Sequence, residues 1–178
     1  IQPGNEPVHG KVFESSSFGL RAALQGLGFV DVELAMVRDD LELISSRIQE
    51  ALRSTDLVLV TGGVSVGDHD HTRAAAEQAG VQTVFHRVRQ KPGKPLYFGT
   101  RDRKPVFGLP GNPSSVLTCF YMYVLPCLGA MTGRNLAMRR EQHPIAADYK
   151  KPAGITHFLK GRTLGDEATV STAQESYK

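Results

Sequence analysis

Cysteine is scarce in this chain, and that scarcity excludes a disulfide framework. Of the 178 residues, only Cys119 and Cys127 are cysteines, eight positions apart in a segment predicted to be helical. Eight helical residues rise about 12 Å, whereas a disulfide needs Cα atoms within about 7 Å. We therefore expect two free thiols without a catalytic or metal role. Free thiols are typical of a reducing, cytoplasmic compartment.

Long apolar runs, internal repeats and low-complexity tracts are also missing. No apolar run approaches the roughly 20 residues that span a bilayer, so no membrane partner is expected. No signal peptide is recognisable. With 40% hydrophobic and 22% charged residues, the composition is typical of a globular domain. The length predicts one full domain and part of a second.

Positive charge is concentrated in one stretch. Residues 86–104 hold seven lysines and arginines against the single acid Asp102, a local charge of +6. This stretch matches no nucleic-acid-binding motif, so no nucleic acid partner is expected. We expect Arg101, Arg103 and Lys104 to be solvated in a hairpin turn. Lys91 and Lys94 instead suggest a local phosphate clamp.

Helical and strand patterns alternate along the first three quarters of the chain. Helices are predicted from Ser15 or Ser16 to 28, from Asp39 or Asp40 to 52, over 70–79 and over 113–131. Strands are predicted at 30–37, 57–60 and 81–88, with a hairpin over 96–109. This order favours a three-layer α/β/α domain with a mostly parallel sheet, residues 1–135. Short strands after it predict the start of a small, barrel-like β domain, residues 136–178.

Three loops rich in glycine and proline punctuate this pattern. We name them the glycine loop (residues 61–68, Thr-Gly-Gly-Val-Ser-Val-Gly-Asp), the lysine loop (residues 91–95, Lys-Pro-Gly-Lys-Pro) and the asparagine loop (residues 108–115, Gly-Leu-Pro-Gly-Asn-Pro-Ser-Ser). Open α/β sheets bind ligands at the carboxyl ends of their strands. Amides at helix starts favour phosphate there. The loops therefore predict a binding site for an anionic ligand.

The glycine loop combines candidate donors with candidate metal ligands. Gly62 and Gly63 follow a predicted strand, and Ser65 adds a hydroxyl. Asp68 and Asp70 stand beside the next helix, where carboxylates near a phosphate site suit Mg²⁺. The alternative is that Asp70 caps the helix and Asp68 faces water. Two histidines beside these acids are a weak zinc signal.

The other two loops and one acidic pair complete the candidate site. Proline and glycine stiffen the lysine loop, so Lys91 and Lys94 are displayed with little entropy left to lose. In the asparagine loop, Asn112 suits a helix cap and Pro113 the first helical turn. Helix capping explains one residue of the pair Asp39 and Asp40. The other is left for a cation or for proton transfer.

With these motifs in order, the chain resembles a known family. The three loops are jointly similar to those of molybdopterin molybdenumtransferases of the MoeA type, which are related to the gephyrin E domain. The resemblance covers roughly residues 10–133. Residues 136–178 resemble, more weakly, the start of the C-terminal β-barrel domain of that family.

The resemblance implies a specific reaction. Such enzymes insert molybdate into adenylated molybdopterin, a phosphorylated pterin, and release AMP with the assistance of Mg²⁺. By the resemblance, Asp39 and Asp70 are the active-site acids, and Asp39, Asp68 and Asp70 are the metal ligands. The resemblance assigns phosphate or molybdate to Lys91 and Lys94, and phosphate to Gly62, Gly63 and Ser65. It assigns the pterin side of the pocket to Gly111, Asn112, Pro113 and Ser15.

Two features limit how much of the family this chain represents. The first strand of the family fold is not recognisable ahead of Ile1, and two further domains normally precede it. We therefore expect a fragment of a larger enzyme, a homodimer when intact, with molybdopterin adenylyltransferase as a partner. Two alternatives stay open. The chain could be a molybdopterin adenylyltransferase, which shares the fold, or a non-catalytic scaffold of the gephyrin kind.

Overall fold

The computed structural model describes residues 4, 6, 9, 13–64, 71–136 and 138–171. The helices are α1 (Ser16–Gly26), α2 (Leu41–Ser54), α3 (His71–Gln78), α4 (Pro113–Cys119) and α5 (Leu125–Thr132), with a π-helical turn, Phe120–Val124, between the last two. The strands are β1 (Val58–Thr61), β2 (Gln82–His86), β3 (Gln90–Lys91), β4 (Tyr97–Arg101), β5 (Lys104–Leu109), β6 (Thr156–His157), β7 (Gly161–Leu164) and β8 (Glu167–Val170). The expected α/β class is confirmed.

The central sheet is mixed, whereas a mostly parallel sheet was expected. Its order is β1-β5-β4-β2. Only β1 and β5 run parallel, with Thr61 opposite Leu109. β4 and β5 form an antiparallel hairpin, and β2 runs antiparallel to β4. The difference arises because the hairpin reverses the chain within the sheet, where a helical crossover would have kept the direction.

Helices cover both faces of this sheet, which gives the three expected layers. Side chains of successive strand residues point to opposite faces. In β5, Val106 packs with α2 and α3, and Phe107 packs with α1, α4 and the helical segment that follows. Tyr97 and Leu96 divide between the same two clusters. Each face of the sheet thus has its own apolar core.

The predicted strand over residues 30–37 does not form. In the described part of the chain, this segment pairs with no strand, and its backbone turns locally where the Val32 amide donates to the Val30 carbonyl at 3.0 Å. Val32 still packs against the first core cluster. Glu33 forms an ion pair with Arg47 of α2. The apolar residues do alternate, but no strand in the described ranges forms hydrogen bonds with this segment.

Of the first two predicted helix caps, one differs in detail and the other is confirmed. Ser15 stands at the cap position of α1 but makes no capping hydrogen bond. The Glu14 carboxylate accepts from the Ser17 amide at 2.9 Å instead. At α2, Asp40 is the cap and accepts from the Leu43 amide at 3.0 Å. Capping therefore uses Asp40 and leaves Asp39 free for another role, as predicted.

The hairpin turn between β4 and β5 is where the sequence predicts it, but two of its cations are not simply solvated. The Arg101 guanidinium donates to the Ala79 carbonyl at 2.7 Å, just past the end of α3. The Lys104 ammonium donates to the Leu52 carbonyl at 2.8 Å, in the last turn of α2. Cations stabilise helix C-termini, where carbonyls lack partners. Arg103 alone of the three fits the solvated description.

The long apolar helix forms as expected, with one irregularity. The Leu125 amide donates to the Phe120 carbonyl, five residues back, in a π-helical turn. Pro126 follows at once and has no amide for the carbonyl four residues earlier. By length and composition, Pro113–Thr132 reaches the 20 residues that can cross a membrane, contrary to the sequence-based expectation. Its buried side chains pack against the sheet, which is how a core helix behaves.

The C-terminal strands are only partly independent of the α/β domain. β7 and β8 form a hairpin. β6 instead pairs in parallel with β3, so that Lys91 stands opposite His157. A β-barrel and the boundary at residue 135 stay predictions.

Candidate anion-binding site

The lysine loop, the asparagine loop and the described start of the glycine loop, residues 61–64, lie at one edge of the sheet. The glycine loop follows β1 and the asparagine loop follows β5, and these two strands are parallel. The lysine loop precedes β4, which is antiparallel to β5 and begins at Tyr97, opposite Gly108. The start of β4 therefore meets the end of β5. The structure brings the lysine loop, the asparagine loop and residues 61–64 of the glycine loop to a common rim.

The glycine and asparagine loops touch each other directly. The Gly62 amide donates to the Leu109 carbonyl at 3.1 Å. A Cβ at Gly111 would lie 3.7 Å from the Gly62 Cα. The Ser16 hydroxyl donates to the Gly111 carbonyl at 3.5 Å, which places the start of α1 and the exposed Ser15 at the same rim.

The Gly62 amide is already used, contrary to its predicted role as a phosphate donor. Its bond to the Leu109 carbonyl continues the sheet beyond β1. The Gly63 amide makes no hydrogen bond to another residue that the structure describes. Thr72 of α3 braces the loop from below, since its hydroxyl donates to the Gly62 carbonyl at 3.1 Å. Ser65 and two of the three predicted metal ligands, Asp68 and Asp70, lie outside the described residues.

The start of α4 is likewise occupied by its own cap. The Asn112 side chain accepts from the amides of Ser114 at 3.0 Å and Ser115 at 3.3 Å. Pro113 has no amide to offer. The Val116 amide donates to the Asn112 carbonyl at 2.9 Å. The backbone amides of the first turn of this helix are therefore occupied within the helix, and Asn112 acts as the predicted cap.

The lysine loop supplies the uncommitted positive charge. Lys91 and Lys94 are exposed, and neither ammonium pairs with an acid among the residues described. The loop backbone is held at both sides. The Lys94 carbonyl accepts from the Val88 amide at 2.9 Å, and the Lys91 carbonyl accepts from the Phe158 amide at 2.8 Å.

A buried polar group lies beneath this loop. Gln90 is 2% exposed, and its amide nitrogen donates to the carbonyls of Pro92 at 3.1 Å and Gly93 at 3.3 Å. Its amide oxygen accepts from the Tyr123 hydroxyl. The Cys119 thiol lies 3.6 Å from the same nitrogen. Sequence reasoning missed Gln90 because a glutamine beside a lysine in a basic stretch is usually solvated.

Burial has a clear effect on the groups around Gln90. It raises the pKa of Cys119 to about 12, although the hydrogen bond from Gln90 partly opposes this. It also raises the pKa of Tyr123. Cys119 is therefore an unreactive core thiol, as the sequence predicted, and Tyr123 keeps its proton as a hydrogen-bond donor.

Asp39 lies just before α2, whose start is directed towards the end of the sheet at which β1 ends. A short connection joins α2 to β1, so the helix runs back against the strand and begins near the end of β1. Asp39 is exposed just before that helix start. Within the described ranges, no group of three or more acidic, histidine or cysteine side chains forms a metal site. The described residues alone therefore do not fit a complete Mg²⁺ site, since they contribute one of its three predicted ligands.

Comparisons with known proteins point in one direction. A family model described as a probable molybdopterin binding domain matches residues 1–130. A molybdopterin molybdenumtransferase from Synechocystis sp. is 41% identical over 127 residues, which cover 70% of this chain and 33% of the relative. The enzyme of the same name from Staphylococcus epidermidis is 35% identical over 178 residues, which cover 99% of this chain and 42% of the relative.

The fold comparison agrees with the sequence comparisons. The crystal structure of the molybdopterin biosynthesis MoeA protein from Pyrococcus horikosii matches with a TM-score of 0.80 and 30% identity. That match covers 96% of this chain and 42% of the other. The chain thus spans less than half the length of each of these three proteins.

Proposed function

Because this chain belongs to the family of molybdopterin-binding domains, we propose that it is the ligand-binding part of a molybdopterin molybdenumtransferase. In that role it acts in molybdenum cofactor biosynthesis. The substrates are molybdate and adenylated molybdopterin. The products are the molybdenum-loaded pterin and AMP.

The reaction exchanges ligands at molybdenum and cleaves a phosphoanhydride. Two Mo–O bonds of molybdate are replaced by two Mo–S bonds to the dithiolene, and the two oxygens leave as water with protons from the thiols and solvent. One water adds to the phosphoanhydride and cleaves the P–O bond, which releases AMP. Both substrates carry negative charge, so a site for them needs fixed cations that are not already paired.

The observation that carries this proposal is the placement of the lysine loop. Two ammonium groups that pair with no acid among the described residues stand on a braced loop, at the rim where Gly62 meets the asparagine loop. The amides of Gly62 and of the start of α4 are occupied. Anion binding in this part of the site therefore falls to Lys91 and Lys94, which hold the oxygens of phosphate or molybdate.

The remaining predicted residues take supporting roles in this proposal. Asp39 assists the hydrolysis from the start of α2, and Asp70 acts with it as the second predicted acid. The Gly63 amide and the Ser65 hydroxyl donate to phosphate, while Ser15, Gly111 and Pro113 border the pterin. Magnesium stays a prediction, and so does its ligand set of Asp39, Asp68 and Asp70.

Binding measurements on lysine variants test the proposal. Lys91→Ala and Lys94→Ala are each expected to weaken binding of adenylated molybdopterin about tenfold or more, as removal of one charged hydrogen bond does. Lys150→Ala is the matched control, because Lys150 is an exposed lysine in the C-terminal segment. Isothermal titration calorimetry measures all three. Equal affinity in the wild type and both loop variants would remove the basis of the proposal.

The wider setting of the enzyme is part of the same proposal. The intact protein is a cytoplasmic homodimer and receives its adenylated substrate from molybdopterin adenylyltransferase. Sedimentation velocity of the intact protein tests the homodimer, since a monomer at working concentration contradicts it. Pull-down with the purified adenylyltransferase tests that partnership, and no complex in the presence of substrate contradicts it.

A further inference from the structure

The geometry beneath the lysine loop assigns a role to a residue that does not itself face the ligand. We propose that Gln90 is a positioning residue, whose buried side-chain amide fixes the backbone between Lys91 and Lys94 and so holds their ammonium groups ready for an anion. This role rests on the proposed function of the loop as an anion-binding site.

The hydrogen bonds of Gln90 fall on the two residues between the lysines. Its nitrogen donates to the Pro92 carbonyl at 3.1 Å and to the Gly93 carbonyl at 3.3 Å. Lys91 precedes the first of these residues and Lys94 follows the second. Both carbonyls between the two lysines are therefore held by a single amide group.

That amide is itself oriented from the helix behind it. The Tyr123 hydroxyl donates to the Gln90 oxygen, so the nitrogen must face the loop. Tyr123 lies in the π-helical turn Phe120–Val124. The irregular turn thus has a consequence for the site, since the hydroxyl it carries fixes which way the Gln90 amide faces.

The lysine loop is packed so closely against α4 and the Gln90 side chain that it cannot move any nearer to them. A Cβ at Gly93 would lie 2.5 Å from the Cys119 sulfur and 2.7 Å from the Gln90 nitrogen. The loop is therefore seated directly on α4 and on the amide. On its other side, β6 pairs with β3 and ties Lys91 in place. The lysine loop is therefore held by the Gln90 side chain on the face that packs against α4, and by β6 next to Lys91.

The test removes the hydrogen bonds of Gln90 while keeping its volume. Gln90→Met replaces the amide with an apolar chain of similar length, and Gln82→Met is the matched control on the exposed strand β2. Two quantities are measured in the purified protein. One is the dissociation constant for inorganic molybdate, and the other is the rate at which a thiol reagent labels Cys119, resolved from Cys127 by peptide mass spectrometry.

We expect Gln90→Met to bind molybdate at least about tenfold more weakly, since loss of even one buried hydrogen bond produces a change of that size. Cys119 labelling should accelerate by about the same factor, since looser seating of the loop exposes the sulfur. Gln82→Met should match the wild type in both measurements. Tyr123→Phe, which keeps the glutamine but frees its orientation, should change both in the same direction by a smaller factor. It serves as the second variant if Gln90→Met does not fold.

The outcomes separate this inference from the proposed function. If Lys91→Ala and Lys94→Ala bind molybdate as well as the wild type does, the function of the loop is wrong, while Cys119 labelling still reports whether Gln90 seats it. If the lysine variants lose binding but Gln90→Met and Tyr123→Phe leave affinity or labelling unchanged, the positioning role is wrong. A change in labelling alone shows loosening without effect on the site, and a change in affinity alone shows an effect that does not pass through the loop. Either result overturns the inference.

Discussion

Substitution of Gly93 by alanine is the most direct probe of how tightly the lysine loop is seated. Gly93 has φ of +90°, in the region where side chains are strained. A Cβ there would also lie 2.5 Å from the Cys119 sulfur and 2.7 Å from the Gln90 nitrogen. The variant therefore suffers two separate penalties, one from the backbone and one from packing.

The magnitudes can be compared with a glycine that suffers only the first penalty. A left-handed backbone costs a residue with a Cβ about 1–2 kcal/mol, and overpacking of a well-packed site costs about 1–3 kcal/mol more. Gly93→Ala should therefore lower the free energy of unfolding by roughly 2–5 kcal/mol. Gly133 has φ of +67° and nothing within 4 Å of its would-be Cβ. Gly133→Ala should lower the free energy by only about 1–2 kcal/mol.

Urea denaturation followed by circular dichroism measures both variants. The double variant Gly93→Ala with Cys119→Ala removes the nearest clashing atom. The loss of unfolding free energy in this double variant should be smaller than the sum of the losses in the two single variants, by about 0.5–3 kcal/mol. If Gly93→Ala proves no more harmful than Gly133→Ala, the loop is not seated on Cys119 and Gln90, and the reasoning about its rigidity is wrong.

Three further predictions concern caps and buried groups. Asn112→Ala should lower the free energy of unfolding by about 1 kcal/mol. Asn112→Asp should not lower it, because a carboxylate accepts hydrogen bonds from the same amides. Urea unfolding measures both variants. Lys104→Met should lower the free energy of unfolding by about 1 kcal/mol, because the variant loses the hydrogen bond from Lys104 to α2. Arg103→Met, in the exposed turn, should leave the midpoint of urea unfolding unchanged. Burial raises the pKa of Cys119 from 9.0 to about 12. The stability that the folded state gains from keeping this thiol neutral is therefore fully present below pH 9, and it is lost as the pH rises toward 12. Between those values, the wild type should lose up to about 1.4 kcal/mol per pH unit more than Cys119→Ala in urea unfolding, and parallel pH profiles would contradict this.

The sequence predicted the rim of the site because that rim is made of local signals. The glycine pair after β1, the prolines of the lysine loop and the cap at Asn112 each shape the chain within a few residues. The family resemblance then related these loops to one another. No long-range contact had to be known.

What the sequence missed depends on partners far away in the chain. The apolar alternation of residues 30–37 does not reveal whether a neighbouring strand is present. Lys104 and Arg101 satisfy carbonyls of two helices that precede them by more than 20 residues. Gln90 is buried by α4, which begins only at Pro113. In each case the side chain has a common local interpretation that tertiary contacts override.

The pairing of β3 with β6 has a consequence for the order in which the protein matures. Residue 91 leaves the ribosome long before residue 158, yet the Lys91 carbonyl receives its partner from the Phe158 amide. We expect the α/β layers to assemble first on the emerging chain. The cationic loop would then gain its last backbone bond only once the later strands have been synthesised.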